Sequence, residues 1–353
     1  MPGTRPGRFR QAGYTSPLPN EPGPMDPVNR QLSVAPMMDW TDRHCRVLHR
    51  RLAPAALLYT EMVHAQAVVR GDRARLLGYS DEEHPLALQL GGSEPALLAQ
   101  AARIGADEGY DEINLNCGCP SERVQEGTFG ACLMREPARV ADCVAAMIAA
   151  VPSRVPVTVK CRIGVDDQDD YEGLERFVAT VAEAGCRTFI VHARKAWLKG
   201  LSPKENREIP PLDYERVFRL KHEHPQLTIV LNGGLATVGA VKSVLPKVDG
   251  VMLGRAAYHT PWILAELAQA LDSRPLPDRI ALVRELRPYV EARLAAGDRL
   301  AMIVRHWLGL GHGLHGGRSF RRILTEEGRL AGAGWAVVER ALASLDPGLA
   351  EAA

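Results

Sequence analysis

No stretch of this chain approaches the roughly 20 consecutive apolar residues that a membrane span requires. The first 30 residues are rich in Pro and Gly and carry Arg5, Arg8 and Arg10, without the apolar segment of a secretory signal. They read as a disordered extension outside the fold. Net charge is nearly absent too: 43 basic against 42 acidic residues leave +1, so bulk charge announces no nucleic-acid partner. Paired cysteines are not expected, because the seven are odd in number and fall mostly inside strand-like and helix-like runs. That favours reduced thiols and a cytoplasmic address. Cys117 and Cys119 lack a second Cys or His pair, so no structural metal is expected. Acid is missing altogether between Arg299 and Thr325, where Arg305, Arg318, Arg321, Arg322 and three histidines occur. Such a patch is either a phosphate-binding footprint or the solvated face of a helix.

What is present, from residue 32 to about 271, is alternation. Short β-rich runs at 32–37, 57–63, 86–92, 112–119, 157–164, 188–194, 228–234 and 250–255 are separated by helical stretches such as 94–108, 136–150, 171–184 and 237–245. Several runs are apolar on both faces, as a buried parallel sheet demands. Eight strand–helix units in roughly 250 residues suit a (β/α)8 TIM barrel better than a doubly wound sheet. The barrel domain is expected over 31–272, followed by a small all-helical domain over 273–347 with helices at 279–296, 300–310, 319–330 and 334–345. In this domain Arg318, Arg321 and Arg322 fall at i, i+3 and i+4, on one helix face.

The chemistry-bearing residues sit at the C-terminal ends of the strands, which in a barrel form one face. Asn114-Leu115-Asn116-Cys117-Gly118-Cys119-Pro120 is the most informative run. Pro120 has no N–H to continue the ladder, so Cys119 is expected at the mouth of a strand, whereas Cys45, Cys143, Cys161 and Cys186 read as core. A thiol, mostly protonated at neutral pH, can donate a proton as well as attack. Asn232-Gly233-Gly234 with Thr237 as a helix cap, and Gly254-Arg255 on the next strand, resemble the glycine-rich phosphate site that barrels build after strands seven and eight. Beside them, Gln89, Lys160 and His192 suit a phosphate-bearing cofactor such as flavin mononucleotide (FMN). Lys160 has a competing role as a Schiff-base amine. Gly311-His312-Gly313-Leu314-His315-Gly316 matches a dinucleotide fingerprint literally but follows a helix, so it reads as a loop between helices.

Together these residues resemble the tRNA-dihydrouridine synthases, and within them the A-type enzymes. The likeness covers about residues 32–330. It rests on Val34-Ala35-Pro36-Met37-Met38-Asp39, Leu115–Pro120, Val191-His192-Ala193-Arg194, Asn232-Gly233-Gly234 and, for the subfamily, Lys204-Glu205-Asn206-Arg207-Glu208-Ile209-Pro210-Pro211. The resemblance implies an FMN-containing enzyme that reduces D-loop uridines at tRNA positions 20 and 20a with NADPH. Hydride would pass from FMN N5 to C6 and a proton from Cys119 to C5. It implies that Pro36, Met37 and Met38 line the flavin, that Gln89, Lys160 and His192 bond to it, and that Asn232, Gly233, Gly234, Gly254 and Arg255 hold its phosphate. Asn116, Lys204, Arg207, Arg318 and Arg321 would contact tRNA, and the protein would act as a monomer. Two rival readings are a flavin barrel acting on a free pyrimidine or enone, and an RNA-binding barrel that has lost its chemistry.

Overall fold

The structure, a computed structural model, describes residues 28–121 and 128–345. The expected N-terminal extension therefore lies outside the described residues as far as residue 27, as do residues 346 and 347 of the expected helical domain. The last residues of that extension correct the expectation that all of it stays out of the fold. Val28 and Arg30 are buried, Val28 in the barrel interior with Ala35, Tyr59 and Val230.

Nine short strands make one parallel sheet: β1 (Leu32–Val34), β2 (Leu58–Tyr59), β3 (Val63–His64), β4 (Leu86–Gly91), β5 (Glu112–Asn116), β6 (Val157–Arg162), β7 (Thr188–His192), β8 (Thr228–Asn232) and β9 (Gly250–Leu253). Their order is β1-β9-β8-β7-β6-β5-β4-β2, and β3 also pairs with β4. The sheet closes through Leu57, whose N–H donates to the Leu32 carbonyl (3.0 Å) and whose carbonyl accepts from Val34 N–H (3.0 Å). β2 and β3 share one of eight barrel positions, so the expected alternation is present as a (β/α)8 barrel. The single run expected at 57–63 is cut in two because the Thr60 hydroxyl takes the place of a ladder carbonyl, accepting from Gln89 N–H at 3.1 Å.

The helices between strands form because their ends are capped and one face is apolar. Asp42 accepts from His44 and Cys45 N–H (2.9 and 3.0 Å), Asp170 from Gly173 N–H (2.7 Å), and Pro95 and Pro137 open their helices. Leu98, Ala101, Ala102 and Gly105 of Pro95–Asp107 lie at i, i+3, i+4 and i+7, as do Val140, Cys143, Val144 and Met147 of Pro137–Ala150. Both stripes are buried, Gly105 lies against Leu88 and Ile113 of the sheet, and the two helices are neighbours. Fully burying one such Leu, Val or Met side chain is worth about 1.5–3 kcal/mol.

Inside the barrel, β5 alternates. Ile113 and Leu115 face the helices, while Glu112, Asn114 and Asn116 sit on the opposite face and join a buried polar file. Its base is Glu112, ion-paired with Arg30 and accepting from Tyr59 (2.6 Å) and Thr158 (2.5 Å) hydroxyls. Thr158 accepts from Asn114 Nδ2 (2.8 Å), Asn114 Oδ1 from Gln89 Nε2 (2.7 Å), and Gln89 Oε1 from Asn116 Nδ2 (2.8 Å). Every donor points the same way, so the file has one polarity from the strand ends down to the carboxylate.

After the barrel come Arg279–Glu285, Arg287–Ala295, Leu300–Val304, Gly317–Glu326 and Trp335–Ala343, the helical region expected from sequence. Its centre is Trp307, Phe320 and Leu324 with Trp335, whose ring meets Trp307 edge-on at 6.5 Å. The expected helix 279–296 breaks at Leu286, two residues before Pro288, which cannot donate into a continuous ladder. Asp42 ties this region to the barrel through Arg305 (2.6 Å) and His306 (3.0 Å). Burial opposes ionisation of that carboxyl, but the His306 and Arg305 contacts hold its pKa well below the usual range.

Candidate active site

β5 ends at Asn116, and the chain turns under the control of that side chain. Asn116 Oδ1 accepts from the backbone N–H of both Gly118 and Cys119, each at 3.0 Å, while its amide donates into the polar file. Cys117 is fully buried and its N–H continues the ladder to the Lys160 carbonyl at 2.8 Å. Cys119, two residues on, is half-buried and unpaired at the open end of the barrel. From the other side Arg162, on β6, donates through Nε to the Gly118 carbonyl (2.8 Å). Its NH1 reaches the Lys195 and Asn206 carbonyls (3.0 Å each). Burial lowers the Arg162 pKa to about 10, which leaves it a cation at neutral pH. Cys119 thus sits within electrostatic reach of Lys160, Arg162 and Arg207.

Across the mouth, Lys160 Nζ donates to Asn232 Oδ1 (3.2 Å), and Asn232 Nδ2 to the Met252 carbonyl (2.7 Å). Burial, reinforced by Arg162, pushes the Lys160 ammonium down to about 8. Burial and then the surrounding Arg162 and Lys160 charges hold His192 well below its ordinary pKa, so its imidazole is neutral at physiological pH. Gly233 and Gly234 follow with φ of +116° and +69°. A Cβ on Gly233 would meet His192 Cδ2 at 2.7 Å, and one on Gly234 would collide with Leu212. Only glycine allows the backbone this close to the imidazole.

Most sequence-expected residues converge here, with differences in what each touches. Pro36 and Met37 are half-buried and Met38 is 56% exposed beside the mouth. Gln89 is 1% exposed, with its carbonyl and its amide already engaged by Asn116 and Asn114. Gly254 caps the short helix Arg255–His259, but the Arg255 guanidinium is paired with Glu208 and with the Arg207 carbonyl (3.2 Å). Asn116 is only 9% exposed, its carbonyl oxygen committed to the Cys119 turn. Lys204 and Arg207 are exposed on the loop after β7, and Arg318 and Arg321 lie exposed on Gly317–Glu326. The literal fingerprint at Gly311–Gly316 lies between helices, and Gly316 packs against the Ser344 carbonyl at φ +69°. Sequence reasoning missed Asn206, fully buried, and gave no role to Arg162. For Arg162 the signal was a charged residue inside an otherwise apolar strand run; Asn206, set among Lys204, Glu205, Arg207 and Glu208, carried none.

The donor set fits an anionic, ring-bearing cofactor. A glycine turn only glycine can make, a half-buried ammonium, a neutral imidazole and the flexible Met37 and Met38 all lie at or just beyond the C-terminal ends of the strands. Among the described residues no group of three His, Cys, Asp or Glu is arranged to hold a metal ion. No described helix is long and apolar enough to cross a membrane.

Fold and site together define a parallel (β/α)8 barrel with a half-buried thiol presented at its C-terminal face and a helical region following it. The family model for dihydrouridine synthases matches residues 33–344, and the chain belongs to that family. It is 63% identical over 316 residues, 90% of its length, to a protein of Xanthomonas axonopodis pv. citri named tRNA-dihydrouridine(20/20a) synthase, 94% of which is covered. Relatives bearing the same name in Xylella fastidiosa (63%, 90% of this chain and 95% of that one) and Vibrio cholerae (55%, 89% and 96%) match similarly. Among solved structures, a 2-naphthoyl-CoA reductase complex shares the barrel fold with a TM-score of 0.53 at 11% identity, over 70% of this chain and 51% of that one.

Proposed function

We propose that this protein reduces the C5–C6 double bond of uridines 20 and 20a in the tRNA D-loop, with bound FMN and with NADPH as reductant. The observation that carries this reading is the half-buried Cys119 thiol presented at the strand ends by a turn that Asn116 and Arg162 fix, in a chain 63% identical to a relative named for that reaction. Pro36, Met37 and Met38 would flank the ring system, with Gln89, Lys160 and His192 at its polar edge. Asn232, Gly233, Gly234 and Gly254 would hold the phosphate, and Arg255 could join only by leaving Glu208. When bound, the flavin supplies the two-electron reducing equivalent.

The chain's own residues do the rest. Addition of hydride at C6 builds enolate charge on the uracil, and the Cys119 thiol, fixed by Asn116 and Arg162, delivers a proton to C5. The Lys160 and Arg207 charges offset the negative charge that develops. The neutral His192 imidazole donates or accepts a hydrogen bond without adding another cation. A uracil stacked in folded RNA must be extruded into this mouth at a cost of a few kcal/mol, and cationic side chains on the helical region would supply it through phosphate contacts. We read the protein as a cytoplasmic monomer. The deciding experiment maps dihydrouridine in tRNA from cells lacking the protein, and assays purified enzyme with NADPH on tRNA and on free uridine. Loss of dihydrouridine at 20 and 20a and turnover on tRNA alone are expected; equal turnover on free uridine defeats the RNA reading.

A further inference from the structure

Aromatic residues make up 5% of the chain, and among the described residues only one Phe, Tyr or Trp is exposed, Trp197 at 37%. It is also held firmly for a surface residue. Its N–H donates to Asn206 Oδ1 (2.7 Å), its carbonyl accepts from Asn206 Nδ2 (2.9 Å), and the next N–H, of Leu198, donates to Asp166 Oδ1 (2.7 Å). Asn206 is itself fully buried, and its amide also reaches the Leu201 carbonyl (3.1 Å). One face of the indole is covered by Lys195 Nζ at 4.3 Å from the ring centroid, and that ammonium is fixed by Asp169 at 2.6 Å. A solvent-exposed indole with both neighbouring backbone amides clamped has lost much of the entropy that binding would otherwise cost.

Its placement relates it to the reaction. Arg162 bonds to the carbonyls of Lys195 and Asn206, on either side of Trp197 in the loop, and to the Gly118 carbonyl next to Cys119. The indole is therefore tied to the thiol turn through a single guanidinium. Between Arg194 and Arg207 the loop carries Arg194, Lys195, Lys199, Lys204 and Arg207 against one acid, Glu205. A fixed aromatic plane in a cationic loop suits a polyanion that displays flat π faces, which is a nucleic acid.

Building on the proposed RNA substrate, we infer that Trp197 is a stacking platform for a nucleobase flanking the uridine that enters the mouth. The platform holds the strand beside the extruded nucleotide, and it reads position along the strand without choosing among bases, since every base has a π face.

The test measures tRNA affinity of the full-length wild type, Trp197→Ala and Trp197→Phe, using tRNAs with a single abasic nucleotide at each position flanking the target. Trp197→Ala is expected to weaken binding of intact tRNA about tenfold, within the range one base stack supplies, while Trp197→Phe stays within about twofold and both melt as the wild type does. One abasic position should cost the wild type a similar factor and cost Trp197→Ala nothing more. Unchanged affinity of Trp197→Ala for intact tRNA overturns the inference, as do losses that add at every abasic position. A wild type that binds tRNA but forms no dihydrouridine refutes the proposed function and leaves this binding comparison intact.

Discussion

At the scale of single residues, the site is governed by how few ways each polar group has of being satisfied. Asn116 Oδ1 accepts two backbone N–H groups and thereby fixes the turn that presents Cys119. Replacing Cys119 by Ala removes the proton donor without touching that turn. We expect Cys119→Ala to bind tRNA as the wild type does while multiple-turnover dihydrouridine formation drops about 10²- to 10⁴-fold, the usual worth of a positioned acid. Undiminished turnover would show that the proton comes from elsewhere. Lys160 offers a pH test. Its pKa is lowered to about 8, so with no anion beside it the ammonium is present below pH 8 and lost above it, where an ordinary lysine stays charged to roughly 10.4. Reduced flavin, docking with the charged edge of its ring beside Nζ, raises that value again. Its binding near pH 8 should therefore take up about half a proton, the uncharged fraction at the midpoint. Calorimetry in buffers of different ionisation enthalpy measures the uptake, and Lys160→Met should abolish it.

At the scale of elements, the alternation of strands and helices was legible because long helices such as Pro95–Asp107 and Pro137–Ala150 carry i, i+3, i+4 stripes and β5 to β8 end in polar residues. Residues 112–119 show where that legibility stops. The run reads as an apolar strand, yet only Ile113 and Leu115 face the helices, while Glu112 is buried beneath Asn114 and Asn116. A carboxylate at the start of a strand looks solvated in sequence, and the cation that pairs with it, Arg30, lies 82 residues away in a segment whose composition suggests disorder. Long-range pairing of this kind leaves no periodic trace. The same holds for Arg255, expected on a phosphate and found on Glu208 through a loop that local pattern cannot fold. Gly233 and Gly234, by contrast, were legible because positive φ demands glycine at that position of a turn. The buried pair yields its own prediction. Arg30→Ala leaves an uncompensated carboxylate inside the barrel and should cost about 3–5 kcal/mol in equilibrium denaturation. Combining it with Glu112→Gln, which removes the charge, should recover part of that loss. If the double variant is no more stable than Arg30→Ala alone, the penalty is packing and not charge.

At the scale of the whole molecule, a net charge of +1 conceals segregation. The helix Gly317–Glu326 buries Phe320 and Leu324 against the helical region and exposes Arg318, Arg321 and Arg322, so its two faces are chemically distinct. The stretch from Leu300 to Leu324 contains no acid to neutralise them. Asp42 holds the region against the barrel through Arg305 and His306, which fixes this cationic face relative to the mouth. If phosphate contacts supply the energy to extrude a uridine, that energy must be salt-sensitive, because binding to a polyanion releases condensed counterions. Each lost phosphate contact then lowers the slope of log affinity against log salt by a little under one. Replacing Arg318 and Arg321 together by Ala is expected to weaken tRNA binding most at low salt and to flatten that slope by roughly one to two. The melting temperature should not change, since both side chains are exposed and make no ion pair among the described residues. Titrating tRNA binding at four or five salt concentrations separates the possibilities. A parallel line at reduced affinity would assign the loss to shape or packing, and an unchanged line would move the docking surface off this helix and onto the Lys195–Arg207 loop.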